Sequence, residues 1–202
     1  IMNAVGADLA QSLDHRPALV SIAAGIPLMA LESWLGSTSA IIRAMPNTPA
    51  MVLSGATGLF ANAQVGTEQK ALVEKIFAAI GYACWVENEA QIDAVIAVSG
   101  SGPAYFFRIM EIMQQVGQEL GLPQQVAQDL SLTTALGAAR MATESGINPT
   151  QLREQVTSPG GTTQAALQTF EEQGLEEIFR KAMSSALTRA EVMSADFGSA
   201  SK

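Results

Sequence analysis

The sequence predicts an α/β domain followed by an all-helical domain. Over the first 88 residues, short apolar runs alternate with patterns that have helical spacing. After Glu87 the strand patterns end, and one helical pattern follows another to the end of the chain. Apolar strands in alternation with helices are typical of a parallel sheet that helices cover on both faces. We therefore expect an α/β domain over residues 1–88 and a helical domain over residues 89–202.

Four apolar runs are the candidate strands of the first domain: ALVSIAAG, SAIIRAMPNTP, GATGLFAN and YACWVE. Helices are expected over residues 1–14, 27–34 and 67–81. The last of these should have Thr67 as its N-cap and Gly81 as its C-terminal stop. The first begins at Ile1, which is not an initiator methionine and has no N-cap before it, so we expect that an N-terminal part precedes it.

Glycine and proline separate the helices of the second domain. The predicted helices are, in order, residues 89–100, residues 101–121, a helix opened by Pro123, NPTQLREQV with Asn148 as N-cap, a helix from Thr162, and the C-terminal LEEIFRKAMSSALTRAEVMSADFG. The segment AYFFRIMEIM is apolar on most sides and must be covered nearly all round. A domain of this size covers few such helices, so we expect an intertwined homodimer.

Composition argues against several classes of function. The net charge of −8 disfavours a surface that follows nucleic-acid phosphates, and no apolar run approaches the ~20 residues that span a bilayer. His15 is the single histidine and no Cys/His spacing resembles a zinc site, so we expect no metal. Cys84 has no second cysteine to pair with, and we expect it to pack in the core of a cytoplasmic protein.

The stretch TSPGGTT, residues 157–163, combines turn-forming residues with hydroxyl groups at the start of a helix. It is either an ordinary joint between two helices or an anion site. In the second interpretation, the glycines let backbone N–H groups face outward, and the positive end of the helix dipole adds to them. Ser158, Thr162 and Thr163 contribute hydroxyls. A small anionic metabolite with a carboxylate would suit such a site.

Two further stretches are candidates for a site. SGSGPAY (99–105) mimics the start of a dinucleotide fingerprint, but it follows a helical pattern and has Tyr105 at the sixth position. Its small residues are expected to let two helices, or a helix and a ligand ring, approach closely. AMPNTP (44–49) and SIAAG (21–25) end neighbouring strands, and they are either simple turns or the lining of a ligand crevice.

The motifs SIAAG, IIRAMPNTP, IDAVIAVSGSGPAYFF and TSPGGTT, in this order, resemble those of pyrroline-5-carboxylate reductases. The resemblance spans nearly the whole chain, and TSPGGTT is its most specific part. It implies an N-terminal Rossmann domain that holds NADPH or NADH, and a helical domain that interlocks with a partner into homodimers, often assembled into decamers. It also implies hydride transfer from the nicotinamide to the C=N bond of pyrroline-5-carboxylate, which gives L-proline.

The resemblance assigns roles to individual residues. The hydroxyl of Thr163 should meet the ring nitrogen of the substrate, which makes Thr163 the catalytic candidate. The loop that should hold the substrate carboxylate comprises Ser158, Gly160, Gly161 and Thr162. Glu89 matches an acidic residue near the nicotinamide and the substrate. The residues expected beside the cofactor are Ala24, Gly25, Met45, Pro46 and Asn47.

The sequence departs from the family pattern because no strand is followed by GxGxxG. The preceding part would supply about two βαβ units of roughly 30 residues each, and without it we expect weak cofactor binding or none. Two alternative functions stay open. The first is that of a β-hydroxyacid dehydrogenase, which would carry a lysine after its glycine-rich helix start; the run SGSGPAYFFRIM lacks this lysine. A helical oligomerisation module without activity explains the apolar helices but not SPGGTT.

Overall fold

The computed structural model describes residues 2–10 and 17–199; His15 and residues 11–14 of the first predicted helix lie outside this part. Its strands are β1 (Leu19–Ser21), β2 (Ile41–Met45), β3 (Gly55–Ala61) and β4 (Gly81–Trp85). Its α-helices are α1 (Met2–Ala10), α2 (Leu28–Leu35), α3 (Thr67–Ala78), α4 (Ala90–Val95), α5 (Gly102–Glu119), α6 (Gln124–Glu144), α7 (Pro149–Gln155), α8 (Thr162–Glu172) and α9 (Leu175–Ser199). The predicted order, an α/β part followed by helices, is confirmed.

Packing divides the chain into two compact units. One comprises Ile1–Pro103 with Ala182–Lys202, and the other comprises Ala104–Lys181. The boundary predicted at residue 88 follows the last strand, whereas the compact division keeps α4 with the sheet. It does so because α4 packs closely on β3: a Cβ atom on Gly58 would lie 2.7 Å from a methyl of Val95.

The strands form one sheet in the order β1-β2-β3-β4. β1 is parallel to β2 and β3 is parallel to β4, but β2 and β3 are antiparallel. The prediction of a wholly parallel sheet is therefore wrong at this pair. Only a short 3-10 turn, Thr48–Val52, and its flanking residues connect the two strands, and a parallel connection needs about a dozen residues or more.

Apolar clusters lie on both faces of the sheet. Ile41 belongs to the cluster under α2, and Ile42 belongs to the cluster under α3, because side chains alternate along a strand. Cys84 is half-buried and not in the core, which corrects the prediction for it. It lies on β4, an edge strand, and it lines an open groove beside α4.

The ends of α3 differ from the prediction at both Thr67 and Gly81. Gly66 is the N-cap, and its N–H donates to the carboxamide oxygen of Gln69 over 2.9 Å, so Thr67 is the first helical residue. The helix ends at Ala78, and Gly81 begins β4 with φ of +149°. A Cβ atom at Gly81 would lie 2.1 Å from the carbonyl oxygen of Gly55, so the close strand pairing requires glycine there.

The predicted helix over residues 89–100 has two parts. After α4 the chain widens into a π turn, Ile96–Gly100, which the N–H of Ser101 closes on the carbonyl of Ile96 over 2.8 Å. π turns are rare and are found mostly as single turns, frequently at functional sites. The sequence pattern, which has helical spacing throughout, did not predict this turn.

The second compact unit is helical and has almost no core of its own. Across residues 104–181, all of which the structure describes, only Ala127 and Ser131 are buried. Large apolar side chains remain exposed, including Phe106 and Phe107 on α5, each 62% exposed. The predicted Asn148 cap is confirmed, since its side chain accepts a hydrogen bond from the N–H of Gln151.

None of the described helices has the length and apolar character needed to cross a bilayer.

A cluster of charged side chains joins α4 to the last turns of α9 in the first unit. The hydroxyl of Ser194 donates to Asp93 over 3.5 Å. Burial raises the pKa of the Asp93 carboxyl above its ordinary value of 3.8, the positive charge of Arg43 opposes this, and the negative charges of Glu191 and Glu89 add to it. The folded protein therefore retains the Asp93 proton at a pH where the unfolded chain has lost it.

We predict that Asp93→Asn stabilises the protein at pH 7. The stability that Asp93 contributes is complete below pH 3.8 and is lost as the pH rises through its raised folded pKa. Asparagine is a neutral substitute for the protonated carboxyl, so the variant should melt at a higher temperature than the parent at pH 7 and at the same temperature near pH 3.8. Melting curves at both pH values test this.

Asp129→Asn, at an exposed position on α6, is the matched control and should show no such pH-dependent gain. A lower melting temperature for Asp93→Asn than for the parent at pH 7 would contradict the prediction, because it would mean that the charged form of Asp93 is the stabilising one.

Candidate functional site

Two loops at one edge of the sheet contain the residues predicted to lie beside a cofactor. Because β1 and β2 are parallel, the loops that follow them begin at the same edge. Ala24 is exposed in the first loop, and Gly25 beside it is buried with φ of +74°. A Cβ atom on Gly25 would lie 2.9 Å from the Cβ of Met193, so both the backbone conformation and α9 require glycine there.

The second loop, Met45–Asn47, is held by its own side chains. The Asn47 carboxamide donates to the carbonyl of Ser99 over 3.0 Å and accepts from the N–H of Ala56 over 2.9 Å. The methyl of Met45 lies 2.9 Å from the position that a Cβ atom on Gly100 would take, which is too close for a side chain there. The small residues of SGSG therefore admit a neighbouring side chain, and the π turn presents its Ser99 carbonyl to Asn47. Pro46 is half-buried between these anchored residues.

Glu89 is fixed within the first unit by two hydrogen bonds to the same carboxylate oxygen. Oε1 accepts from Nη1 of Arg43 over 2.7 Å and from the N–H of Leu28 over 2.6 Å. The side chain of Arg43 is 4% exposed, and that of Glu89 is 31% exposed. Glu89 thus joins α4 to β2 and to the start of α2, and its position fixes the end of the loop that contains Ala24 and Gly25.

The loop TSPGG in the second unit makes a tight turn before α8. Gly160 has φ of +72°, and the N–H of Gly161 donates to the carbonyl of Ser158 over 3.0 Å. Gly161 is the N-cap, so Thr162 and Thr163 are the first two residues of the helix. Ser158, Gly160 and Thr162 are exposed. The turn therefore brings together the loop residues that the sequence predicted, with backbone and hydroxyl groups accessible to a ligand.

One donor of this turn already has a partner. The N–H of Gly160 donates to the side-chain oxygen of Gln164 over 2.6 Å, a contact that the sequence analysis missed. The N–H groups of Thr162 and Thr163 lie in the first turn of α8, where the helix itself provides no acceptor. These two groups, at the positive end of the helix dipole, are the donors most available to an anion.

Thr163 differs from Thr162 because its side chain is half-buried. It lines a groove of about 370 Å³ between α6, α7 and α8, whose walls include Met141, Leu152 and Val156. Thr163 thus lies between the accessible turn and an apolar surface. A small ligand with a carboxylate and a hydrocarbon ring could contact both. Among the described residues, no three side chains of His, Cys, Asp or Glu are grouped to hold a metal ion.

Arg43 is a further candidate that the sequence analysis missed. An arginine inside the apolar strand IIRAM needs a carboxylate partner when buried, and this signal was available from the sequence. The pattern did not identify which of the 19 acidic residues is that partner. The structure shows that it is Glu89, which the resemblance had singled out for another reason.

Known proteins of one family are similar to this chain. The family model described as pyrroline-5-carboxylate reductase dimerisation matches residues 89–193. A pyrroline-5-carboxylate reductase of Pseudomonas aeruginosa is 48% identical over 197 residues, which are 98% of this chain and 72% of that protein. One of Vibrio alginolyticus is 45% identical over 188 residues, which are 91% of this chain and 68% of that protein.

Solved structures of the same enzymes share the fold. A pyrroline-5-carboxylate reductase of Coxiella burnetii matches with a TM-score of 0.91 and 46% identity, over 96% of this chain and 72% of that one. The Plasmodium falciparum enzyme, solved with NADP bound, matches with a TM-score of 0.87 and 29% identity, over 95% of this chain and 72% of that one. With a matching family model over more than half of its residues and relatives this similar, the chain belongs to the pyrroline-5-carboxylate reductase family.

Proposed function

We propose that this chain acts in an oxidoreductase that reduces pyrroline-5-carboxylate to L-proline with NADPH or NADH, the last step of proline biosynthesis. The observation that carries the proposal is the start of α8. There an exposed turn of backbone N–H groups lies beside the half-buried hydroxyl of Thr163, in a chain that belongs to this family. The substrate has a carboxylate and a ring nitrogen close together. The backbone N–H groups can donate to the carboxylate, and the Thr163 hydroxyl can form a hydrogen bond with the ring nitrogen.

The substrate carboxylate is assigned to the loop Ser158–Thr162. The N–H groups of the first turn of α8 point out of the helix end and carry partial positive charge. A carboxylate gains about 1.5–3 kcal/mol from each charge-assisted hydrogen bond. The N–H of Gly160 can join them when the side chain of Gln164 moves away from it. Gly160 suits this turn because its φ of +72° lies in the left-handed region, and a Cβ atom on Gly161 would lie 3.1 Å from the Ser158 carbonyl oxygen, a contact that the turn would have to relieve.

The nicotinamide end of the cofactor is assigned to the two loops that follow β1 and β2. They lie at the carboxyl edge of two parallel strands, which is where open α/β sheets bind ligands. Ala24, Gly25, Met45, Pro46 and Asn47 would hold it, with Asn47 shaping its loop through bonds to Ser99 and Ala56. A bound NADPH or NADH supplies the hydride.

The reduction requires little acid–base catalysis from the residues of this chain. A protonated C=N bond accepts hydride readily, so its reduction needs correct positioning more than a strong acid. The Thr163 hydroxyl can donate to, or accept from, the ring nitrogen and so orient the carbon that is reduced. Glu89, held by Arg43 and Leu28, contributes a fixed negative charge near the start of α4.

The activity is tested by following the oxidation of NADPH and of NADH in the presence of pyrroline-5-carboxylate. The sample is the oligomeric protein in which this chain is joined to the N-terminal part expected to precede it. Substrate-dependent oxidation with proline as product supports the proposal. No oxidation of either cofactor by a folded, assembled protein would overturn it and would favour a helical oligomerisation module without activity.

A homodimer is proposed from the helical unit. Its exposed apolar side chains and nearly absent core call for a covering surface, and the matching family model describes a dimerisation domain. Association of five dimers into a decamer is the larger assembly that the family resemblance implies.

A cytoplasmic location is proposed because Cys84 has no second cysteine with which to form a disulfide in this chain.

We predict that Thr163→Ala lowers kcat markedly, by about tenfold to a hundredfold, since it removes a polar group that positions the reacting bond. The melting temperature should change little, because the residue is only half-buried. Thr163→Ser keeps the hydroxyl and should retain most of the activity. Thr169→Ala, on the same helix and exposed, is the matched control. A near-normal kcat in Thr163→Ala would remove this residue from the mechanism.

For the oligomeric state, we predict that light scattering after size exclusion gives at least the mass of two chains. Phe107→Asp places a charge on the exposed apolar face of α5 and should give smaller species. Gln115→Ala, at an exposed polar position of α5, should leave the mass unchanged. A monomeric parent protein would contradict the proposed homodimer.

A further inference from the structure

Arg43 is a buried cation in the middle of the sheet. It lies in β2 between Ile42 and Ala44, is 3% exposed, and is one of the few buried polar residues in the described part of the first unit. A charge in such a place is costly unless a partner compensates it. Its partner is Glu89, whose Oε1 accepts from Nη1 over 2.7 Å. At 3% exposure, Arg43 does not contact a ligand directly, and its ion pair with Glu89 is what connects it to the start of α2.

The same oxygen of Glu89 also accepts a hydrogen bond from α2. It accepts from the N–H of Leu28 over 2.6 Å, at the first residue of the helix. A carboxylate at a helix N-terminus interacts favourably with the helix dipole. Leu28 immediately follows the loop that contains Ala24 and Gly25, and Leu28 itself is 7% exposed in the α2 core. One carboxylate oxygen therefore fixes the end of the loop to β2.

We propose that Arg43 is a positioning residue of the reductase: by holding Glu89, it keeps the loop of residues 23–27 in the conformation that binds the nicotinamide cofactor. This inference rests on the proposed function, because that function assigns the loop to the cofactor. Gly25 supports it, since its conformation with φ of +74° against Met193 leaves the loop little room to adjust if α2 shifts.

The test uses Arg43→Gln in the assembled protein. The Kd for NADPH, measured by calorimetry without substrate, should rise about tenfold, the effect expected when one charge-assisted interaction no longer holds the binding loop. The KM for NADPH should rise in parallel, and the KM for pyrroline-5-carboxylate should change less. Arg43→Lys keeps a cation beside Glu89 and should recover part of the affinity.

Glu89→Gln is the second variant, because it keeps an oxygen that can accept from Leu28 and from Arg43. It should bind NADPH more tightly than Arg43→Gln does, and because it leaves Arg43 without a charged partner, Arg43→Lys is the variant that should fold if Arg43→Gln does not. If Arg43 acts through Glu89, combining Arg43→Gln with Glu89→Ala should raise the Kd no further than Glu89→Ala alone.

Val73→Ala is the control for general loss of stability. Val73 is 4% exposed in the α3 cluster, which packs on the other face of the sheet from α2. It should lower the melting temperature without changing the Kd for NADPH. If Arg43→Gln behaves like Val73→Ala, with lower stability and an unchanged Kd, the proposal is overturned and Arg43 is structural only. Equal increases of both KM values would overturn it as well.

The two proposals fail in different ways. A parent protein that binds NADPH but does not reduce pyrroline-5-carboxylate contradicts the proposed function, while the ratio of NADPH affinities still tests Arg43. An active parent protein whose NADPH affinity is unaffected in Arg43→Gln, Arg43→Lys and Glu89→Ala contradicts the inference alone.

Discussion

The first unit depends on one ion pair, between Arg43 of β2 and Glu89 before α4. The charge of Arg43, whose side chain is 4% exposed, would be costly there without the carboxylate of Glu89 beside it. Because Oε1 of Glu89 also receives the N–H of Leu28, the pair joins a strand and two helices at a single oxygen. The two loops at the carboxyl edge of the sheet begin or end next to these anchors. The ends of the loops assigned to the cofactor are thus tied to β2 and α4 by Arg43 and Glu89.

Local sequence signals located the elements well. The four apolar runs became β1 to β4, and turn residues such as Asn148 and Pro149 marked helix starts. The antiparallel β2–β3 pair was not predicted, because apolar content does not report strand direction and only the length of the connection limits it. The π turn was missed because one inserted residue hardly changes a helical pattern over twelve positions.

The candidate site was predictable where chemistry is local and unpredictable where it is not. TSPGGTT carries its own turn, cap and hydroxyls, so its conformation at the start of α8 followed from the residues. Contacts that join distant segments, such as Asn47 with Ser99 or Glu89 with Leu28, depend on the tertiary fold. The contact between Gln164 and Gly160 is local, but a glutamine in a helix has many possible partners, and its identity alone did not select this one.

The helical unit couples the folding of the chain to its association with a second copy. Residues 104–181 bury only Ala127 and Ser131 within one chain, so in the proposed homodimer the second copy would supply most of the apolar stabilisation of this unit. Folding and association are then one event, and stability depends on protein concentration. Dilution that separates the copies would expose the apolar faces of these helices to water, and the helical unit would lose stability with them.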